Sequence, residues 1–230
     1  MKKVFIYGLM LCTAILSLTS CNDDKDQLTD TRITNYVVLT INGDKVVYVD
    51  GNSTYEDAGC KAELAGEDVS DKIVTINPVN TSEVGPYTVT YSAINADGFG
   101  ASTSRYVYVG APLTGTVSEG SFRQTKAGAV VNYSGFDIDM LTDGNGLYWV
   151  EDLLGGYYEQ RAGYGDRYSM KGYLQVNKDN TVSLAGGGDV VGWGDSYDDF
   201  KNGIYDPEKN TISYTVVYAG MDFNVILTLN

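Results

Sequence analysis

Beyond residue 35, short apolar runs rich in Val, Ile, Thr and Tyr recur between turn residues. The clearest of them alternate with a period of two, the spacing that puts one face of a strand inside and the other in water. Val37-Val38-Leu39-Thr40-Ile41 reads as a first strand, with Lys45-Val46-Val47-Tyr48-Val49 as its hairpin partner across Asn42-Gly43-Asp44. Tyr87 to Ala93 alternates cleanly, turns at Asn95-Ala96-Asp97-Gly98 and returns as Ala101 to Val109. Further strands are expected at 129–133, 136–141, 147–150, 172–176, 181–184, 211–218 and 223–229. Asx-Gly turns such as Asp50-Gly51, Asp143-Gly144 and Asn145-Gly146 punctuate the runs. No window keeps helical spacing except the apolar stretch Val4 to Leu18. The expectation is all-β: a first sandwich over 32–110, a Pro/Gly linker at Gly110-Ala111-Pro112-Leu113-Thr114-Gly115, and an antiparallel β-sandwich or barrel over 115–230.

The N-terminus sets the compartment. Lys2 and Lys3 precede an apolar run that is shorter than the ~20 residues of a spanning helix, so residues 1–20 read as a signal peptide. Leu18-Thr19-Ser20-Cys21 resembles the lipobox of bacterial lipoprotein precursors. That resemblance implies cleavage before Cys21 and acylation of its thiol and new amino group, which anchors the chain firmly to a bilayer. Asn22-Asp23-Asp24-Lys25-Asp26, within the acidic linker 21–31, resembles the export tag of Bacteroidota surface lipoproteins. It implies an outer-membrane protein facing the cell exterior.

Charge narrows the partners. The chain carries 30 acidic and 16 basic residues, a net charge of −14, which argues against nucleic acid, whose phosphates need clustered Lys and Arg. There is no His, and with it goes the usual general base near neutral pH. Cys60 is the one cysteine beyond the lipidation site, and it reads as a structural thiol without a disulfide partner. No nucleophile elbow, zinc pair or nucleotide loop appears. Glu151 with Asp195 is a nominal carboxylate pair that no spacing favours. The chain therefore reads as a protein without catalytic residues.

Gly85-Pro86-Tyr87 through Asp97-Gly98, with Tyr55-Glu56-Asp57-Ala58-Gly59 and Gly66-Glu67-Asp68-Val69-Ser70 upstream, resembles bacterial immunoglobulin-like domains of the hyaline-repeat type. The resemblance implies a small spacer or adhesion sandwich. The second half is similar to C-terminal domains of Bacteroidota surface lipoproteins found beside glycan-import machinery, through Tyr148 to Tyr158 and Gly192-Trp193-Gly194-Asp195-Ser196.

Candidate chemistry lies in this second half. Aromatic faces take up sugar C–H groups, and neighbouring carboxylates accept sugar hydroxyls. Trp193 beside Asp195 and Tyr197, and Tyr157-Tyr158 beside Glu159, supply both parts; Trp149 is a further aromatic candidate, though its place in an expected strand favours core packing. Trp193 is the preferred platform, because glycines flank it. The expected ligand is a poly- or oligosaccharide. The other reading is a structural or interaction subunit of an outer-membrane import complex, or an adhesin. Asp195-Ser196-Tyr197-Asp198-Asp199 and Asp143-Gly144-Asn145-Gly146 offer oxygens for Ca²⁺, but neither matches a known twelve-residue loop, and ordinary turns are expected there, with no cofactor.

Overall fold

The computed structural model describes residues 34–230; the apolar leader, Cys21 and the acidic linker lie outside the described residues. No helix among the described residues is long and apolar enough to cross a membrane.

The first domain is a two-sheet sandwich. One sheet orders β1 (Val38–Ile41), β3 (Cys60–Leu64) and β4 (Glu67–Asp68). The other orders β2 (Val46–Val49), β7 (Gly100–Val109), β6 (Gly85–Ile94) and β5 (Val74–Ile76). The alternation expected in β6 and β7 is realised: Val89, Tyr91 and Ala93 of one strand and Arg105, Val107 and Val109 of the other are buried, while Pro86, Thr88 and Tyr106 face outward. Cys60 is half-buried, its thiol pushed up by burial.

The expected hairpin of β1 with β2 does not form. β1 pairs antiparallel with β3, and β2 runs parallel to β7 in the opposite sheet. Arg105 supplies the physical reason. Its side chain is 2% exposed, in the middle of the sandwich, and its Nε donates to the carbonyl of Asp44 at 3.0 Å. The guanidinium also donates to the carbonyls of Asn42 and Gly59 and pairs with Asp57. Those carbonyls belong to the segment that crosses between sheets. A hairpin turn would point them elsewhere and strand a buried cation.

Asp57 in turn accepts from Tyr91 Oη at 2.7 Å and Tyr55 Oη at 3.0 Å. Burial alone would raise its carboxyl, but the hydrogen bonds from Tyr91 and Tyr55 and the charge of Arg105 outweigh it and hold the group below its usual range.

The second domain is one ten-stranded sheet. Its order is β14 (Asp195–Ser196), β13 (Val182–Val190), β12 (Lys171–Val176), β11 (Leu147–Val150), β10 (Asp137–Thr142), β8 (Ala111–Arg123), β17 (Met221–Leu229), β16 (Thr211–Tyr218) and β15 (Asp199–Asp206), with β9 (Val130–Tyr133) added on β8. The sheet rolls until its two ends touch. Thr181 bridges Ile204, and Tyr205 N–H donates to Asn180 C=O at 2.8 Å. Gly203 permits this seam, since a Cβ there would lie 2.1 Å from the carbonyl oxygen of Val182. Inside sit Val117, Ile138, Met140, Leu174, Ile212, Val216, Phe223, Val225 and Leu227. Of the two expected architectures, the curled antiparallel sheet is the barrel-like one.

The expected linker is strand. Residues 111–116 pair with β10 and residues 115–121 with β17. Pro112 is tolerated because β17 pairing reaches only to Gly115, so no strand requires the N–H that proline lacks. The chain passes from β7 to β8 through Gly110 alone. There φ is +114°, and a Cβ would lie 2.9 Å from the Thr142 carbonyl. β13 likewise runs through Gly186-Gly187-Gly188, read from sequence as loop, by a bulge that leaves Gly188 unpaired.

The two domains pack through Val84, with Tyr108 against it, and the outward row Leu141, Trp149 and Tyr173 of β10, β11 and β12. Trp149 is 5% exposed in this joint. Its role is packing between domains, which removes it from the expected binding aromatics.

Asp57→Ala leaves Arg105 buried without its counter-ion, a loss of about 3–5 kcal/mol. Urea unfolding should show that drop, with secondary structure retained in the native baseline; a change under about 0.5 kcal/mol would mean that the carbonyls alone hold the arginine.

Candidate functional site

The connection from β11 to β12, residues 151–170, caps one end of the rolled sheet. Asp152 holds it. The side chain is fully buried, and its carboxylate accepts from the backbone N–H of Leu154 at 2.9 Å, Gly156 at 3.0 Å and Met170 at 3.0 Å. Both ends of the loop are thereby tied to one side chain. Burial raises the carboxyl while the three N–H donors pull the other way. Leu153, Leu154 and Met170 enter the barrel core. Gly155 and Gly156 then take left-handed conformations and lead into a π-helical turn, Tyr157–Arg161. The wide turn sends adjacent tyrosines different ways.

Tyr157 points inward, edge-on to Phe122 at 4.6 Å and near Tyr133 at 5.4 Å. Tyr158 points to the rim. Its ring meets Trp193 edge-to-face at 4.7 Å and stacks with Tyr164 at 6.2 Å. Tyr168 closes on Trp193 at 4.8 Å, and Tyr218 lies under Trp193 at 6.3 Å. Trp193 is 43% exposed and Tyr164 55%, so the cluster runs from the barrel core to an open aromatic patch. Gly192 lets the two loops meet: a Cβ there would strike Tyr168 at 2.6 Å, and its N–H donates to Arg167 C=O at 2.6 Å.

The structure thus brings Trp193 and Tyr158 together and adds Tyr164, Tyr168 and Tyr218. Asp195 stands beside them through Tyr218, whose hydroxyl donates to it at 2.8 Å. Tyr197 instead lies flat over Gly188, where a Cβ would be 2.3 Å from its ring, and Tyr157 belongs to the core. Both are packing residues here. Tyr164 and Tyr168 could be suspected from composition alone; Tyr218 sits in a plain alternating strand and carries no such signal.

The same loop carries acids. Carboxylate oxygens of Glu151, Glu159 and Asp166 lie within 4.8 Å of one another. Glu151 also neighbours Asp139 across β10, through an N–H bond to the Asp139 carbonyl at 3.0 Å. Lys171 Nζ pairs with Asp166 at 2.5 Å. Glu151 is pushed up to about 7 by burial, then by the charges of Glu159 and Asp139, and Glu159 is raised for similar reasons. The trio offers hydrogen-bond acceptors, and at neutral pH a proton, on the loop that also carries Tyr158, Tyr164 and Tyr168. The acidic stretches singled out in sequence do not converge. Asp143 accepts from Asn145 N–H and Leu147 N–H in an Asx turn, and Asp195 is engaged by Tyr218.

Glu151 holds its proton in the fold at pH values where the unfolded chain, near 4.5, has lost it. Folding therefore binds a proton between about pH 4.5 and 7, and stability falls as pH rises through that window. Glu151→Gln should raise the Tm more at pH 8 than at pH 4.5; an equal shift at both would show that folding does not raise the Glu151 carboxyl.

Comparison with known proteins follows this geometry. A model for a bacterial surface protein, Ig-like domain, matches residues 39–109. A model for a "-like, C-terminal domain" matches residues 107–229, more than half of the chain. The crystal structure of the lipoprotein BT2262 from Bacteroides thetaiotaomicron is similar at 34% identity and a TM-score of 0.56. That alignment spans 84% of this chain and 100% of that one. Curated proteins give no match. With both domains matched in order and a lipoprotein aligned over its whole length, the chain belongs to the BT2262-like family of bacterial surface lipoproteins.

Proposed function

We propose that this surface lipoprotein is a non-catalytic glycan-binding accessory protein. Acylated Cys21 anchors it to the outer membrane, facing outward, and the rolled-sheet domain presents the recognition surface. The observation that carries the reading is the open patch of Trp193 and Tyr164, backed by Tyr158 and Tyr168. Edge-to-face neighbours fix the Trp193 ring before any ligand arrives, so stacking a sugar on it costs little side-chain entropy. Glu159 and Asp166, on the same loop, supply acceptors for sugar hydroxyls. Binding through stacking and hydroxyl acceptance is the chemistry that this surface supplies directly. Capture of polysaccharide for import is the role that fits such a site on an anchored protein.

One observation favours an interaction role instead. The outer face of the β2-β7-β6-β5 sheet exposes Val46, Tyr48, Tyr106, Val74, Ile76 and Ile94, an apolar surface suited to a protein contact.

The two readings separate in one experiment. A soluble chain beginning at residue 27 is run on affinity gels containing different polysaccharides, with tryptophan fluorescence in parallel. Retardation by a glycan, weakened about tenfold or more in Trp193→Ala, equivalent to about 1.4 kcal/mol or more, supports glycan capture. Absence of retardation by every glycan, from a folded protein, refutes it and favours the interaction reading.

A further inference from the structure

A crevice of ≈380 Å³ lies between the two domains, beside their joint. One wall is aromatic. Tyr48 of β2 and Tyr108 of β7 stand opposite each other in the parallel pair and stack at 5.3 Å, 21° from parallel. Tyr48 is 57% exposed. The facing wall is the outer surface of β10 and β8, with the carboxylate of Asp139, the hydroxyl of Thr114 and the side-chain amide of Asn230. Trp149 closes the floor.

Two observations decide the ligand chemistry. First, the acids on this side outnumber the cations. Asp139 lines the crevice. Glu151 follows the end of β11 next to it, its N–H donating to the Asp139 carbonyl, and Lys171, across from Glu151, is paired with Asp166. Their charge reaches the aromatic wall: the Tyr108 hydroxyl is raised by burial, then by Tyr48 and by Glu151 and Asp139. A neutral ligand would leave the Asp139 carboxylate to water alone, whereas a cation seated in the crevice would pair with it. Second, the same sheet face already holds an ammonium on an aromatic ring. Lys45 Nζ stands 6.0 Å from the Tyr106 ring centroid, one row along from the Tyr48–Tyr108 pair. Aromatic rings attract ammonium groups through their quadrupoles, more strongly where water is partly excluded.

We propose that the inter-domain crevice binds a primary ammonium group on a flexible chain, seated between the Tyr48–Tyr108 stack and the Asp139 carboxylate. A short free diamine and a lysine side chain of another protein share this chemistry. The residues that line the crevice are separate from the glycan patch, so the proposal does not rest on that reading.

The test is calorimetric titration of the full-length lipoprotein in a neutral detergent at pH 7.5. Cadaverine is compared with 1,5-pentanediol, its uncharged counterpart, and Nα-acetyl-lysine amide serves as a third probe. Saturable binding of the ammonium compounds in the millimolar range, without binding of the diol, is expected. Asp139→Asn and Tyr48→Ala should each weaken it about tenfold, while Glu208→Gln, an acid on a distant turn, leaves it unchanged and so excludes general attraction to an acidic protein. Tighter binding of cadaverine points to a free diamine, and tighter binding of the lysine amide to a protein partner. Absence of saturable binding overturns the proposal, as does binding of the diol with equal strength, or binding untouched by both crevice variants in proteins whose melting curves match the parent. Tyr48 is solvent-exposed and Asp139 makes no side-chain bond within the fold, so both variants are expected to fold.

Discussion

A single sheet with one apolar face and no second layer to cover it has to roll, and the second domain is organised by that requirement. Ten strands bury Val117, Ile138, Leu174, Ile212 and Phe223 only by turning them toward one another. Closing the roll brings β13 against β15, where backbone meets backbone at Gly203 and no side chain fits. Rolling also leaves an end to be stopped. The loop from Glu151 to Met170 does so, inserting Leu153, Leu154 and Met170. Its remaining residues are then fixed at the rim, and much of the candidate site is made from them. Tyr158, Tyr164 and Tyr168, with Glu151, Glu159 and Asp166, are placed by a loop whose first duty is to complete a hydrophobic interior, and Trp193 meets them from the turn after β13. Asp152 connects the two tasks, since the three N–H groups it accepts set the path from which Tyr157 turns in and Tyr158 turns out.

The immunoglobulin-like domain answers the same burial problem with two facing sheets, and it accepts a charge in its centre to do so. Arg105 binds carbonyls from the segment that passes between sheets and draws Asp57, Tyr91 and Tyr55 around it. Its outer face is left free, and part of that face meets the outward row of the barrel. The joint covers Leu141, Trp149 and Tyr173 but stops short of Asp139 and Glu151, so an aromatic wall comes to face an acidic one.

Much of this was legible in the residues. The alternation of Tyr87 to Ala93 gave a strand that pairs with the return strand expected of it, 211–218 is a strand as expected, and the glycines around Trp193 did mark an exposed ring. The failures have a common origin in contacts distant along the chain. Gly110 to Gly115 read as linker, yet Gly115 makes room for Met140, a neighbour that cannot be known from the local run. The sheet to which β2 belongs is decided by an arginine in β7, far downstream. Trp149 looked like any strand aromatic, and only the other domain's Val84 and Tyr108 explain its outward-facing burial. The acidic trio is assembled from a strand end, a π turn and a short 3₁₀ turn, three local conformations with no shared spacing to announce them.

The seam at Thr181 and Ile204 has a consequence for crowding. Lipid-anchored proteins share a two-dimensional surface, where identical molecules meet far more often than they would in bulk. An open sheet edge at such density is a template for strand-by-strand association between neighbours. By joining its ends, the rolled sheet withdraws most of that edge, leaving short stubs such as Asp195–Ser196, whose carboxylate repels a like copy. The closure that buries the core thereby also removes a template on which neighbouring copies could pair.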